Sequence, residues 1–363
     1  MIIKTLTLKN YRNIEFEKIN FEKGLNVLVG KNAQGKTNIL EAVGFCSYLK
    51  SFKSVKEEQV IQFGKQSAFI KMEYQSDNGD GVIEITINRD GKKELKKNGL
   101  KVFRNRDLLG DFLTIIFTPD HLNLIKEGPN KRRSFLDMAL CSLDVKYTDT
   151  LLTYQKVLMQ RNALLKKRAQ GEMFFDLLSV YDQKLCENGA YIALKRAEYI
   201  KKLETHAKEI YKNISKSDKK LKILYINQFA KEIEDYETVK NQIKDRLLKT
   251  RETDINLQMT TSGIQKDDML ILQSGKSLKY FGSQGQIRSA VLSLILAQGA
   301  VINDIYGVYP VVILDDILSE LDRSRQKFIF EKTPAAQYLL STCESAKVRG
   351  KGNILKVSNG RIL

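Results

Sequence analysis

The chain has 363 residues, 42% of them hydrophobic, and a formal net charge of +17. That length fits about two domains with a sizeable core, which excludes a disordered or fibrous chain. The basic excess favours a polyanionic partner such as nucleic acid over a small neutral substrate.

The opening MIIKTLTLKNYRN alternates like a strand and has no apolar h-region. Strands are expected at Ile2–Leu8, Phe16–Phe21 and Leu25–Val29, the last running into GKNAQGKT at residues 30–37, with a helix over Asn38–Leu49. Strands follow at Ala68–Tyr74 and Val82–Asn88, and Asp90-Gly91 and Asn98-Gly99 read as hairpin turns, because glycine tolerates positive φ. From about residue 131 to about residue 252 the pattern is long and helical. Leu178, Leu185, Ile192 and Tyr199 recur every seventh position with Tyr181 and Leu203 on the same side, the stripe of a helical-bundle core. Folded back on itself, this insert could reach no further than roughly 90 Å at 1.5 Å per residue, an arm and not a rod. Strand patterns resume at Ile255–Thr261 and Met269–Gln273. Then come FGSQGQIRS (281–289), a helix from about Gln286 to Asn303, the apolar Val311–Leu314, a helix after Asp322, a strand at Gln337–Ser341 and a short C-terminal strand pair. No stretch is expected to approach the roughly 18 apolar residues of a membrane span. The division that results is 1–130 and 255–363 as the two parts of one head, with 131–254 as an inserted helical arm or lid.

Gly30 and Gly35 let the backbone of the loop wrap a phosphate chain, Lys36 supplies a charge near the β- and γ-phosphates, and Thr37 offers a hydroxyl to Mg²⁺. The setting between a strand and a helix N-terminus also favours an anion. Asp315 ends the strand Val311–Leu314, where a carboxylate can hold Mg²⁺ or its water shell, and Asp316 follows where a catalytic base would face the attacking water. Asp316 is one methylene shorter than the glutamate usual in transporter ATPases, so slow hydrolysis is expected. Ser283 and Gly285, just ahead of a helix beginning near Gln286, combine a hydroxyl, glycine N–H groups and a helix N-terminus into a γ-phosphate sensor. A phosphate loop, then SQGQ, then LDDILSELD is the order of an ABC-type ATPase head. The expected fold is therefore α/β: a P-loop head of mixed sheet plus antiparallel β lobe, with the α-helical arm inserted. In such heads the SQGQ element normally completes the nucleotide site of a second copy. Cys46, Cys141, Cys186 and Cys343 form no CxxC pair and His121 and His206 are the only histidines, so no Cys/His metal cluster is expected. The cysteines read as reduced core residues of a cytosolic protein.

KNYRN (9–13), NAQGKTN (32–38), FTPDHLNLIKEGPNKRRSFLD (117–137), SQGQIR (283–288) and LDDILSELD (314–322) together resemble the RecF family of bacterial recombination and repair ATPases, related to the structural-maintenance-of-chromosomes group. The similarity spans essentially the whole chain, and the segment with Pro119, Gly128, Pro129, Arg132, Arg133 and Asp137 is the most specific, since transporter heads lack it. The resemblance implies that Arg12, Asn32 and Lys36 contact ATP, within a nucleotide-binding stretch that also holds Gly30, Lys31, Ala33, Gln34, Gly35, Thr37 and Asn38. It implies Mg²⁺ on Thr37 and Asp315, water on Asp316, and Ser283, with Gly285 and Gln286, at the nucleotide of a partner subunit. It further implies an ATP-dependent homodimer, duplex or junction DNA held mainly through phosphates, a RecR-like mediator, support of recombinase loading at gaps and of the SOS response, weak DNA-stimulated ATPase activity, and a cytoplasmic, nucleoid-associated location. Two segments depart from the family pattern: Ser51-Phe52-Lys53-Ser54 stands for SHRT, and Gly263-Ile264-Gln265-Lys266-Asp267-Asp268 for GPHRDD. The transporter switch histidine falls near Thr342, and Gln59 and Gln62 are the candidates for a Q-loop glutamine.

Three basic clusters are candidates for DNA: Lys92, Lys93, Lys96, Lys97, Lys101, Arg104 and Arg106; Arg161, Lys166, Lys167 and Arg168; and Lys216, Lys219, Lys220 and Lys222. A transporter ATPase subunit is the main alternative, opposed by the arm and by residues 117–137. A cohesin-like structural ATPase would need a longer arm. A small-molecule kinase would have no use for SQGQ.

Overall fold

The computed structural model describes residues 1–53, 55–77, 79–167, 171–215, 219–230, 232–332, 337–343 and 352–363. The chain begins with strands β1 (Ile2–Tyr11), β2 (Ile14–Asn20) and β3 (Gly24–Val29), helix α1 (Lys36–Tyr48), and strands β4 (Ser67–Ser76), β5 (Gly79–Asn88), β6 (Lys93–Lys97), β7 (Leu100–Val102) and β8 (Thr114–Phe117). Helices α2 (Pro129–Leu143), α3 (Val145–Lys166) and α4 (Glu172–Ser215) follow, then β9 (Leu221–Ile226), α5 (Tyr236–Leu257), β10 (Asp268–Gln273), β11 (Lys276–Ser277) and α6 (Leu278–Phe281). The last part holds α7 (Gln284–Tyr306), β12 (Val311–Asp315), α8 (Arg323–Lys332), β13 (Gln337–Thr342), β14 (Asn353–Ser358) and β15 (Arg361–Ile362). Two compact units result. One comprises Met1–Asn123, His206–Asp218 and Ser283–Leu363, the other Leu124–Thr205 and Lys219–Gly282.

The first unit has two six-stranded sheets. One is antiparallel in the order β2-β1-β4-β5-β6-β7. Its long strands β4 and β5 alternate buried and half-buried positions, as a sheet with one covered face requires. The other runs β15-β14-β3-β13-β12-β8 and is parallel except for the terminal β14–β15 pair. Strands β8, β12 and β13 are buried at every position; β12 accordingly reads as an apolar run up to Asp315, whereas β13 buries Gln337, Ser341 and Thr342 beside its apolar centre. Helix α1 packs on β1 and β4 of one sheet and on β8, β12 and β13 of the other. A helix covered on both sides has no solvent face, and every residue from Ile39 to Ser47 is buried, including the charged Glu41. Gln337 ties the two sheets: its Oε1 accepts from Ile3 N (2.8 Å), and its Nε2 donates to the carbonyls of Ile3 (3.1 Å) and Glu22 (2.8 Å). In this mixed sheet β13 lies between β3 and β12, so the loop after β3 and the carboxylates after β12 open at the same edge.

Helix α7 corrects the expectation that no stretch is apolar and long enough to span a membrane. By length and composition it qualifies, but 72% of its most apolar window is buried within the protein. It is a core helix, packed on β8.

The second unit combines α2, α3, α5 and most of α4 with the small sheet β11-β10-β9. Leu178, Leu185, Ile192, Tyr199 and Leu203 are all buried along α4, as their spacing predicts. The strand expected at Ile255–Thr261 does not form. Helix α5 continues to Leu257 and stops at Gln258, whose φ of 56° is left-handed. The threonines that suggested a strand instead make polar contacts. Thr261 donates its N–H (2.8 Å) and hydroxyl (2.6 Å) to Asp254, and Thr260 donates both groups to Asn162. Strands β10 and β11 also pack with this unit, so residues 255–282 group with the helices and not with the ATPase head as the 131–254 division had them.

Buried ion networks hold this unit. Arg161 is fully buried, bonded to Asp182 (2.7 Å), Asp254 (2.8 Å) and Thr260 (2.7 Å). Arg196 reaches Asp137 (2.9 Å), Asp267 (3.0 Å) and the Ile264 carbonyl (2.8 Å). Arg132 forks onto Asp268 (2.6 and 2.9 Å). The segment that carries the most specific resemblance thus acts as internal bracing. Gln265, where the family pattern has histidine, accepts from the Tyr154 hydroxyl and donates to the Ser262 carbonyl (2.7 Å).

Candidate functional site

The loop between β3 and α1 wraps a cavity of about 240 Å³ lined by Asn32 to Asn38, Lys53, Asp316 and Ser341. Its left-handed turns fall at Ala33 (φ 62°) and Gly35 (φ 108°), and Gly35 stands at the helix N-cap. Lys36 is almost wholly buried, its ammonium donating to the carbonyls of Gly30 (2.7 Å) and Lys31 (2.8 Å). Those carbonyls curl the lysine over the loop and aim its charge at the cavity floor. Gly30 has a second reason to be glycine, because a Cβ there would lie 2.3 Å from the Val357 carbonyl of β14. The C-terminal hairpin also clasps the loop from outside: Gly360 N donates to Gln34 O (2.8 Å) and Asn359 N to Gln34 Oε1 (2.7 Å).

Helix α1 and strands β12 and β13 contribute to the polar centre. Asp315 Oδ1 accepts from the Thr37 hydroxyl (2.8 Å) and the Ser341 hydroxyl (2.7 Å), and the Asp316 N–H donates to Ser341 Oγ (2.9 Å). Asp315 is buried, whereas Asp316 is exposed on the cavity wall with φ of 50°. A left-handed backbone at a non-glycine residue is strained, and here it turns the second carboxylate toward the cavity. A hydroxyl and a carboxylate within bonding distance form an all-oxygen donor set, which suits Mg²⁺ sharing its shell with phosphate and water.

Lys53 was not anticipated. It lines the cavity, donates to Asn38 Oδ1 (2.9 Å) and lies 3.5 Å from Glu41. Burial lowers its pKa, and Glu41 pulls the other way. Glu41, fully buried, also takes the guanidinium of Arg12 (2.6 and 3.0 Å) and the hydroxyl of Ser51. Burial disfavours the Arg12 charge, but its bonds to Glu41 outweigh that and raise its pKa. Arg12 therefore stands one carboxylate away from the cavity wall and does not line it. Phe52, the other departure, packs against α1 at Gly44; Ser54 lies outside the described residues. Gln59 and Gln62 do not line the cavity either: the Gln59 carbonyl accepts from Arg12 (2.8 Å). Beyond Thr342, the Cys343 thiol donates to Asn32 Oδ1 (2.8 Å) and lies 3.5 Å from the Lys36 ammonium. Lys53 stands at the arginine position of the SHRT pattern; Ser341 and Cys343 carried no motif, and only the fold brings them to the loop, Cys343 as an exposed residue and not the core cysteine expected.

Ser283, Gly285 and Gln286 do not line this cavity. Ser283 is the exposed N-cap of α7 in a capping box, its Oγ accepting from Gln286 N (3.3 Å) and its N–H donating to Gln286 Oε1 (2.8 Å). The hydroxyl thereby satisfies a first-turn N–H while the residue stays exposed at the helix tip.

The basic clusters separate. Arg161 is withdrawn from any surface role by its buried partners. Lys93 is engaged by Glu57 and the Leu49 carbonyl, and Lys97 by Asp111 (2.7 Å). Lys96, Lys101, Arg104, Lys166, Lys167, Lys220 and Lys222 remain exposed. Lys222 stands on β9, an edge strand, where lysine also blocks edge pairing. Arg168 and Lys216 lie outside the described residues.

Comparison with known proteins agrees with this architecture. The RecF/RecN/SMC N terminal domain family matches residues 2–361. DNA replication and repair protein RecF of Clostridium perfringens (strain SM101) is 35% identical over 367 residues, covering 100% of this chain and 99% of that protein. The chain belongs to the RecF family. RecF of Alkaliphilus oremlandii is 36% identical over 343 residues, covering 94% of this chain and 93% of the relative. A solved structure of the recombination mediator protein RecF with ATP, in the RecFOR pathway, matches with TM-score 0.93 at 34% identity, covering 100% of this chain and 97% of that one. An Smc head domain from Pyrococcus furiosus matches with TM-score 0.58 at 18% identity, which shows shared fold only. The RecF likeness places the chain among ATP-binding heads of the ABC and SMC kind.

Proposed function

We propose that this chain is an ATP-switched DNA-binding protein of recombinational repair and replication, in which two heads close on ATP and grip DNA and slow hydrolysis resets them. The observation that carries the reading is the Thr37–Asp315–Ser341–Asp316 chain of bonds at the wall of the phosphate-loop cavity. Thr37 and Asp315 would hold Mg²⁺, which supplies charge neutralisation at the phosphates. Lys36 binds the phosphate chain, and Asp316 orients water. An Asp in that place, with a strained backbone, supports slow turnover. Ser283, exposed at its helix N-terminus and absent from the chain's own cavity, fits a role on the nucleotide of a second copy. DNA would be held through phosphates by lysines and arginines, giving weak sequence preference and a steep salt dependence. Recombinase loading with a RecR-like mediator, in the bacterial cytoplasm and at the nucleoid, follows from the family.

Sedimentation with and without ATP, with duplex or gapped DNA at two salt concentrations, tests the reading. Mass should rise with ATP, and DNA should shift most in the dimer at low salt. Ser283→Arg should abolish the ATP-dependent mass change while monomer nucleotide binding persists, and Lys36→Met should remove both. A mass independent of ATP together with no DNA shift would defeat the proposal.

A further inference from the structure

Helix α8 meets the first turn of α7 through one side chain. Arg325 Nη2 donates to the Gly285 carbonyl (2.8 Å) and to Ser289 Oγ (2.8 Å), and its Nε donates to the same hydroxyl (3.0 Å). Its Nη1 pairs with Asp322, whose other oxygen accepts from Arg325 N (3.0 Å) and the Ser324 hydroxyl (2.8 Å). Burial opposes the Asp322 charge, but these bonds prevail and hold its carboxyl below the usual range. A second tie runs from Arg288 to Glu320 (2.9 Å). A cation beside a helix N-terminus opposes the helix dipole, so electrostatic preference does not explain Arg325 there. Its fork geometry does: one planar group reaches a carbonyl, a hydroxyl and a carboxylate at once.

The segment from Asp316 to Asp322 connects these ties to the nucleotide cavity. The Asp316 N–H is held by Ser341, which also bonds Asp315, and Asp315 holds Thr37. Within the segment, Ser319 Oγ donates to the Asp316 carbonyl (3.1 Å), and Gln326 Nε2 closes the turn on the Leu318 (2.8 Å) and Leu321 (2.9 Å) carbonyls. Thus an uninterrupted series of short bonds and stiff turns leads from Thr37 to the turn bearing Ser283.

We propose that Arg325 is a positioning residue that couples the chain's own nucleotide cavity to the Ser283 turn it offers to a second copy, so that the two sites of a dimer respond to ATP together. This rests on the dimer reading above. Binding that shifts Thr37 and Asp315 must then also bias the turn at Ser283, and by linkage the bias runs both ways.

The test compares full-length wild type, Arg325→Lys and Arg325→Ala. Lysine keeps the charge but cannot make the fork, and it keeps the question answerable if the alanine variant fails to fold. Binding of a fluorescent ATP analogue at protein concentrations too low for dimers should stay within about twofold of wild type. Dimer association measured by sedimentation at saturating ATP should weaken about tenfold, inside the usual range for coupled sites. The steepness of hydrolysis against ATP, which for two coupled sites can approach a Hill coefficient of about 2, should fall toward about 1. A residue that only stabilised the fold would lower the melting temperature without changing that steepness in the folded Arg325→Lys protein. Wild-type association and steepness in Arg325→Lys would overturn the proposal. A wild type that does not dimerise with ATP would overturn the dimer reading and the coupling with it.

Discussion

Gly30→Ala is expected to damage the fold as well as the nucleotide site. The added Cβ would sit 2.3 Å from the Val357 carbonyl oxygen and 3.3 Å from its carbon, both backbone atoms of β14. Strand β14 is held on β3 by the register Asn353↔Asn26 to Lys356↔Val29, and Val357 also pairs with β15. Relief requires β14 to move outward by about 1 Å or the phosphate loop to move inward, because no flexible side chain can yield. Overpacking of this kind costs about 1–3 kcal/mol, and weakening one or two ladder hydrogen bonds adds about 0.5–1.5 kcal/mol each. The sum, about 1.5–6 kcal/mol, corresponds to a fall in melting temperature of about 3–24 °C for a unit of this size. Gly285→Ala is the control. Its Cβ would meet nothing nearer than the Arg325 guanidinium tip at 3.4 Å, and alanine favours a helix, so its melting temperature should match wild type within about 2 °C. Thermal unfolding followed by circular dichroism, with ATP-analogue binding on the same samples, measures both effects. If Gly30→Ala melts like wild type and loses only nucleotide binding, the glycine serves the phosphate alone and the packing argument is wrong.

Arg161→Ala should destabilise the helical unit by about 3–5 kcal/mol in urea unfolding, because it leaves the buried Asp254 without its cation, whereas Asp182 keeps Arg251 (2.9 Å). At temperatures where the variant is folded, its DNA affinity should equal that of wild type. Lys53→Met should weaken ATP-analogue binding about tenfold through loss of a charge-assisted contact at the cavity wall, with Lys53→Arg recovering most of it. Equal affinity in both would show that Lys53 serves only Glu41. Burial pushes the Asp267 carboxyl up to about 7. A raised folded-state value means that the native protein holds this proton more tightly, so its contribution is complete below about pH 4 and is lost as pH rises through about 7. Asp267→Asn should flatten the decline in melting temperature between those limits, and an unchanged slope would contradict it.

The phosphate loop, the SQGQ turn and the two aspartates were legible because each is a short run whose backbone is local. Strand β12 was legible because five consecutive buried positions leave only apolar residues before Asp315. What escaped depends on contacts distant in sequence. Ser341 looks like any residue of a buried strand, and it becomes part of the site only because β13 lies between β3 and β12. The Thr260–Thr261 pair misled because β-branched residues favour strands, whereas here their hydroxyls serve Asp254 and Asn162 over gaps of 7 and 98 residues. Arg161 was placed in a surface cluster by its charged neighbours, although its partners lie 21 and 93 residues away. Charge runs report composition, and only packing tells which members face water.

The same contrast separates what makes this chain recognisable from what makes it work. Within the segments most particular to the family, Arg132 bonds Asp268, Arg133 bonds the Asp267 carbonyl, and the Asp137 and Asp267 carboxylates both take Arg196, all inside the helical unit. The groups at the cavity are fewer and more widely shared among ATPase folds. A replacement at the cavity that keeps its chemistry can therefore be accommodated, as the cationic Lys53 beside Glu41 illustrates. A change in the bracing leaves a buried charge without its partner, and such a change is tolerated only when the partner changes too. At Gln265, which stands where the family pattern has histidine, the side chain accepts from Tyr154 and donates to Ser262, so the loop at Gly263, where φ is 124°, is tied on both sides by this chain's own residue.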